Sequence, residues 1–188
     1  MMLRTKGAQI KSDAKGKPLT GVMVKVLSDP VVGANGKTAW RVTATGTGFG
    51  TGIEYAADGV TPKVLANAGA AAPGGGHWAT FNSLALPNGA ASGPLLTGTL
   101  AVNKADGVTA KNNLGLWGVD SSGALKLLLR TNHSVVIDNS SKTLKTFVAL
   151  APAVGSPGAA SGYDDNGNVA VLATFTDGSK ALLKLTVP

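Results

Sequence analysis

The chain has 188 residues, of which 26 are Gly and 28 are Ala; 44% are hydrophobic, 14% are charged, and none is Cys. This scale suits one domain or a few small repeats sharing a core, and the lack of Cys excludes disulfide scaffolds, Cys-ligated zinc and thiol catalysis. The net charge is +7, and no apolar run reaches the roughly 18–20 residues of a membrane span.

Short Val-, Leu- and Thr-rich segments follow one another, separated by Gly-containing breaks. In chain order they are 21–27, 38–45, 52–57, 94–102, 115–119, 125–130, 146–150, 168–175 and 181–187. Asn35-Gly36, Asp58-Gly59, Asn88-Gly89, Asp106-Gly107, Asn166-Gly167 and Asp177-Gly178 supply candidate turns, with Gly adopting the positive φ that such turns need. Helical periodicity is nearly absent, so the pattern predicts many strands joined in hairpins.

Self-comparison adds a repeat. Leu3-Arg4-Thr5-Lys6-Gly7-Ala8 resembles the segment beginning at Leu65 and the one beginning at Leu129, spacings of 62 and 64 residues. Gly52-Ile53-Glu54-Tyr55 resembles Gly115-Leu116-Trp117-Gly118 and Ala181-Leu182-Leu183-Lys184. Thr80-Phe81-Asn82-Ser83-Leu84 resembles Thr146-Phe147-Val148-Ala149-Leu150, with Val24-Lys25-Val26-Leu27 as the partner in the first unit. Gly36–Trp40 resembles Gly167–Val171, and the middle copy near Gly93-Pro94-Leu95-Leu96 is degenerate. The expectation is a single repeat domain, 1–188, with units at about 3–64, 65–128 and 129–188. Four antiparallel strands per unit is the content of a propeller blade. The predicted fold is therefore all-β and β-propeller-like: three four-stranded antiparallel repeats of about 63 residues, with Trp40, Trp117, Phe81, Phe147 and Phe175 filling the space between sheets. The chain starts with the strand that follows the Asp-Gly turn and ends with the strand that precedes it. Completion of the last repeat by the N-terminal strand, within one chain or by strand exchange in a homodimer, is the corresponding expectation.

Gly36-x-x-Ala39-Trp40 and Asp164-x-x-Gly167-x-x-Ala170-Val171 resemble the Asn-x-x-Gly-x-x-Ala-Phe motif of a tandem-repeat family of bacterial exported and surface-anchored proteins. Gly52-Ile53-Glu54-Tyr55 with Asp58-Gly59, and Ala72-Pro73-Gly74, match its further elements. The chain departs from the motif at Gly33 and Asp164, where Asn leads, and at Trp40 and Val171, where Phe ends it. The resemblance implies propeller-like repeats in an extracellular or cell-surface setting, with no catalytic residues to carry over.

The residues offer little assembled chemistry. No catalytic set, metal site or cofactor is expected. Asp164-Asp165-Asn166-Gly167-Asn168 concentrates oxygen ligands but lacks the EF-hand pattern, since Phe175 stands where the bidentate acid belongs. It reads better as a hairpin turn. Glu54 and Asp58 could form a glycosidase pair, yet they read as solvated surface. The 46–52 Gly-rich run fits no phosphate-loop pattern. An exposed Trp78 beside His77 could stack on a sugar or grip a partner, with Trp78 tucked between sheets as the other reading; Tyr163 beside Asp164 is a similar binding candidate. Arg4, Lys6, Lys11, Lys15, Lys17 and Lys25 oppose Asp13 alone. The stretch has no aromatic residue for base stacking, so nucleic acid is disfavoured as a partner. No signal-peptide core follows Met1, so the protein is either cytoplasmic or carries its export signal outside this chain. The function expected is a non-catalytic structural or binding role, with a surface polysaccharide or a protein as partner. A polysaccharide-processing enzyme and a basic module for acidic glycan or nucleic acid are the alternatives.

Overall fold

A computed structural model describes residues 3–33, 36–86, 93–149, 163–164 and 166–188. The described chain is all-β, apart from one 3₁₀ turn at Lys104–Asp106. Its strands are β1 (Met23–Leu27), β2 (Val31–Val32), β3 (Thr38–Thr45), β4 (Thr51–Ala56), β5 (Lys63–Asn67), β6 (Trp78–Ala85) and β7 (Leu95–Leu100). They continue as β8 (Leu114–Val119), β9 (Leu125–Arg130), β10 (Ser134–Ile137), β11 (Ser140–Ala149), β12 (Asn168–Phe175) and β13 (Lys180–Thr186). They form three antiparallel sheets, ordered β1-β3-β4-β5 with β2 also on β3, β6-β7-β8-β9, and β10-β11-β12-β13.

The first sheet thus has five strands rather than four. β1 and β2 lie end to end along the edge of β3 opposite β4, with Ser28-Asp29-Pro30 between them. Pro30 has no N–H to give to a ladder, and the Ser28 hydroxyl accepts from the Arg41 N–H across the break at 2.9 Å.

Ladder irregularities fall at matching places. Where the first long strand meets the second, the register shifts after Val24, Trp78 and Leu144. Where the third meets the fourth, it shifts after Ile53 and Leu116. Such a bulge inserts one residue and bends the strand. The cross-strand pairs Trp40–Glu54, Leu96–Trp117 and Val171–Leu183 also correspond.

The turns leading into each sheet match bond for bond. The N–H groups of Gly7, Gly69 and Asn132 donate to the carbonyls of Val24, Trp78 and Leu144, and all three residues have positive φ. These positions are 62 and 63 residues apart, so the third copy of this element begins at Leu128, one residue before the sequence comparison placed it. An Asn accepting the left-handed conformation that Gly takes in the other two copies hid that register.

The packing follows the alternation of the strands. In the second sheet Leu96 and Trp117 face the first sheet, with Ile53 and Ala66. Leu95 and Leu116 face the third sheet, with Val171, Phe175 and Leu183. On the far side of the first sheet, Trp40, Val42 and Ala44 are covered by Ile10, Val22, Leu3 and Leu19. Residues 3–22 thus roof one end of the stack.

Within one chain, the N-terminal residues do not complete the third sheet. Gly7 and Ala8 hydrogen-bond to Val24 of β1, and Ile10 to Val22 just before it, while β13 ends its sheet among the described residues. The Asn88-Gly89 turn, Asn35, Leu150 and Asp165 lie outside the described residues.

Trp117 is fully buried, its ring centroid 4.3 Å from that of Trp78, and its Nε1 donates to the Pro73 carbonyl at 2.9 Å. Trp117→Ala is expected to lower unfolding free energy by about 3–5 kcal/mol, measured by urea denaturation; a loss below about 1 kcal/mol would contradict this packing.

Candidate functional site

Glu54, the single Glu of the chain, is fully buried, which corrects its reading as a solvated surface residue. Its position on β4 turns the side chain to the face roofed by residues 3–22. There Arg4 donates to both carboxylate oxygens, from Nε to Oε2 at 3.0 Å and from its terminal nitrogen to Oε1. Trp40 Nε1 donates to Oε2, also at 3.0 Å. A buried carboxylate needs such partners, because its desolvation is otherwise uncompensated. Asp58 sits in the turn after β4, where its carboxylate accepts the N–H groups of Val60 and Thr61 at 2.8 and 2.7 Å. Glu54 and Asp58 are each held by structural partners, and they do not converge on a shared cleft as a hydrolytic pair would.

The other turn acids work as Asp58 does. One oxygen of Asp13, Asp120 and Asp164 accepts the N–H groups two and four residues on, while Gly16, Gly123 and Gly167 take positive φ between them. Asp177 accepts from the Ser179 N–H and hydroxyl and from Lys142. These bonds favour the charged carboxylate. The Thr61 and Val60 amides hold Asp58 at about 2. Asp120 is lowered chiefly by the Ser122 hydroxyl, Asp164 by the Asn168 side chain and Asp177 by Lys142.

The four binding candidates occupy two separate places. Trp78 is 2% exposed and lies against Trp117 and Phe81, so the buried reading holds and the exposed one is corrected. The His77 ring points away to Asp106, Nδ1 to Oδ2 at 2.8 Å, and Asn103 joins the same carboxylate at 3.0 Å. Tyr163 is buried, and its hydroxyl donates to the Gly93 carbonyl at 2.9 Å, tying the third sheet to the second. Asp164 caps its own turn, and its second oxygen accepts from the Asn168 amide at 2.8 Å. Among the described residues, no three His, Asp or Glu side chains gather at one point.

Sequence reasoning missed a groove of about 620 Å³ between the first and second sheets. Tyr55, Asp58, Thr61, Lys63 and Lys15 edge it, and Val64, Leu65, Pro73, Leu125 and Trp78 form its apolar part. Its walls come from Ala14-Lys15, from the β4–β5 hairpin with the loop that follows it, and from the β8–β9 turn, three regions far apart in sequence. Burial raises the Tyr55 hydroxyl above its ordinary value, so it is a neutral hydrogen-bonding group at neutral pH. Lys6, Lys11, Lys15, Lys17 and Lys25 are all exposed, whereas Arg4 is withdrawn from that basic surface by Glu54.

Two outcomes follow. Arg4→Ala leaves a buried carboxylate without its cation and is expected to cost about 3–5 kcal/mol in chemical denaturation, with much of the loss recovered when Glu54→Leu is added; an unchanged single variant would contradict the clamp. Asp58 has a folded value near 2 against an ordinary 3.8, so the unfolded state binds the proton first. Its contribution is whole above pH 3.8 and is lost as pH falls toward 2. Melting curves across that range should show a shallower decline for Asp58→Ala than for the native chain.

No curated protein and no solved structure matches the chain. A family model described as "Family of unknown function (DUF7453)" matches residues 5–183, nearly the whole length. The chain belongs to the DUF7453 family.

Proposed function

We propose that this is a non-catalytic β-repeat protein with a structural or binding role, its three sheets standing as blades of a propeller-like stack, in a bacterial surface or exported setting. The observation that carries the reading is where seven of the nine described carboxylates are used. Glu54 is locked to Arg4 and Trp40, Asp106 to His77 and Asn103, and Asp13, Asp58, Asp120, Asp164 and Asp177 to the turns they occupy. A carboxyl group serves in general acid–base catalysis only when it is free to reach the substrate's proton, and hydrolysis of a glycoside commonly uses two facing each other. The groove beside Tyr55 and Lys63 offers apolar surface with a few polar groups, the composition of a binding cleft. The surface setting rests on the motif resemblance at Asp164-x-x-Gly167-x-x-Ala170.

The exposed lysines between Lys6 and Lys25 favour a second reading, an acidic glycan as the bound partner. Incubation with neutral and acidic polysaccharides is expected to release no new reducing ends, and sustained release would overturn the non-catalytic reading. Retention on heparin at low salt that falls with salt, and weakens in Lys15→Glu/Lys17→Glu, would support the acidic-glycan reading. Failure to bind at low salt would remove it.

A further inference from the structure

Leu182 on β13 stands in the register of Ile53 on β4 and Leu116 on β8, since their β12, β3 and β7 partners are Leu172, Arg41 and Thr97. Ile53 is 1% exposed and Leu116 is fully buried, each beneath the sheet that follows it, yet Leu182 is 69% exposed. Val148 and Leu172, its cross-strand neighbours, are 60% and 38% exposed. The third sheet therefore presents an apolar row at the place where the first two sheets are covered.

The edge of β13 is open in the same sense. β4 and β8 each pair with a fourth strand, Gly52 opposite Asn67 and Ile53 opposite Ala66, Gly115 opposite Arg130 and Leu116 opposite Leu129. Among the described residues β13 has no such partner. The turn hydrogen bonds identify the segment that matches this missing strand. Thr5 accepts from Ala8 as Asn67 accepts from Ala70 and Arg130 from His133. Arg4 and Thr5 thus correspond to Ala66 and Asn67, but they lie at the opposite end of the stack, bound to the first sheet.

We infer that the apolar face and open edge of the third sheet dock the N-terminal end of a second copy of this chain, with Leu3–Thr5 of that copy lying along β13 and its first sheet covering Leu182. The inference rests on the propeller-like reading above and names its partner. The neighbour's N-terminal residues keep their own bonds to β1 and Glu54, so no segment is exchanged. The receiving surface on that copy is a groove of about 370 Å³ beside Leu3, Leu27, Pro30 and Trp40. Leu27 holds there the register that Phe81 and Phe147 hold over the preceding sheets. The contact is head-to-tail, and two copies closing on each other give a ring of six sheets, within the usual range of about four to eight blades.

The native chain is expected to sediment at twice its 18.7 kDa, and Leu182→Asp to sediment as a monomer with an unchanged β spectrum, since that side chain is exposed. By the register above, Ala181 of one copy lies opposite Thr5 of the other. The double variant Thr5→Cys/Ala181→Cys should give a disulfide-linked dimer on oxidation, which neither single variant gives. A monomeric native chain, or a double variant that closes its disulfide within one chain, overturns the second copy as occupant. Either result leaves the stacked-sheet reading intact; a helix content above about 25%, approaching the globular average, would end that reading instead.

Discussion

The structure depends on one constraint: a sheet apolar on both faces must have a neighbour on each. The second sheet states it most plainly. Leu96 and Trp117 lie on one face, Leu95 and Leu116 on the other, and all four are buried. Strand alternation sends adjacent residues to opposite sides, so Leu95 and Leu96 cannot share a core. Each sheet completes the core of the next, in the way that repeat units bury what none could bury alone. The ends of such a stack then need special treatment. At one end residues 3–22 supply it, with Ile10, Val22 and Leu19 on Trp40 and Val42.

Glu54 shows how that end is made specific. The corresponding residues in the other sheets are Trp117 and Leu183, both buried apolar groups. A carboxylate at this place is costly unless it is paired and hydrogen-bonded, and Arg4 and Trp40 meet both needs. An apolar segment could roof Val42 and Ala44 as well as residues 3–22 do, but it would strand the carboxylate. The charge therefore acts less as added stability than as a choice of which segment may lie on this face.

Much of this was legible from the residues. The segments 38–45, 125–130 and 168–175 coincide with β3, β9 and β12, because Val, Leu and Thr runs bounded by Gly turns leave few alternatives. Asp58-Gly59, Asp106-Gly107, Asn166-Gly167 and Asp177-Gly178 form turns with positive φ at Gly, as the side chains dictate. β2 and β10 escaped notice, being short strands whose places are fixed by β3 and β11 rather than by their own pattern. Trp78 was ambiguous because a loop aromatic looks the same in sequence whether it points outward or inward; only the bulge after it sets its direction. The Arg4–Glu54 pair joins residues 50 apart, and nothing local announces it. The groove beside Tyr55 was invisible for the same reason, since its walls meet only through the packing of two sheets.

The use of acids in the turns connects the fold to the surface charge. A hairpin-rich chain must satisfy backbone N–H groups at every reversal, and an Asp carboxylate can accept two of them at once, as Asp13, Asp120 and Asp164 do. Fixed in these turns, their negative charges are scattered singly around the molecule. The lysines are under no such requirement, and Lys6, Lys11, Lys15 and Lys17 collect on the segment that roofs the first sheet. With Arg4 turned inward to Glu54, the roof keeps a basic outer surface over an apolar inner one. The same short segment thus closes the core, matches the strand missing beside β13, and carries the densest positive charge of the chain.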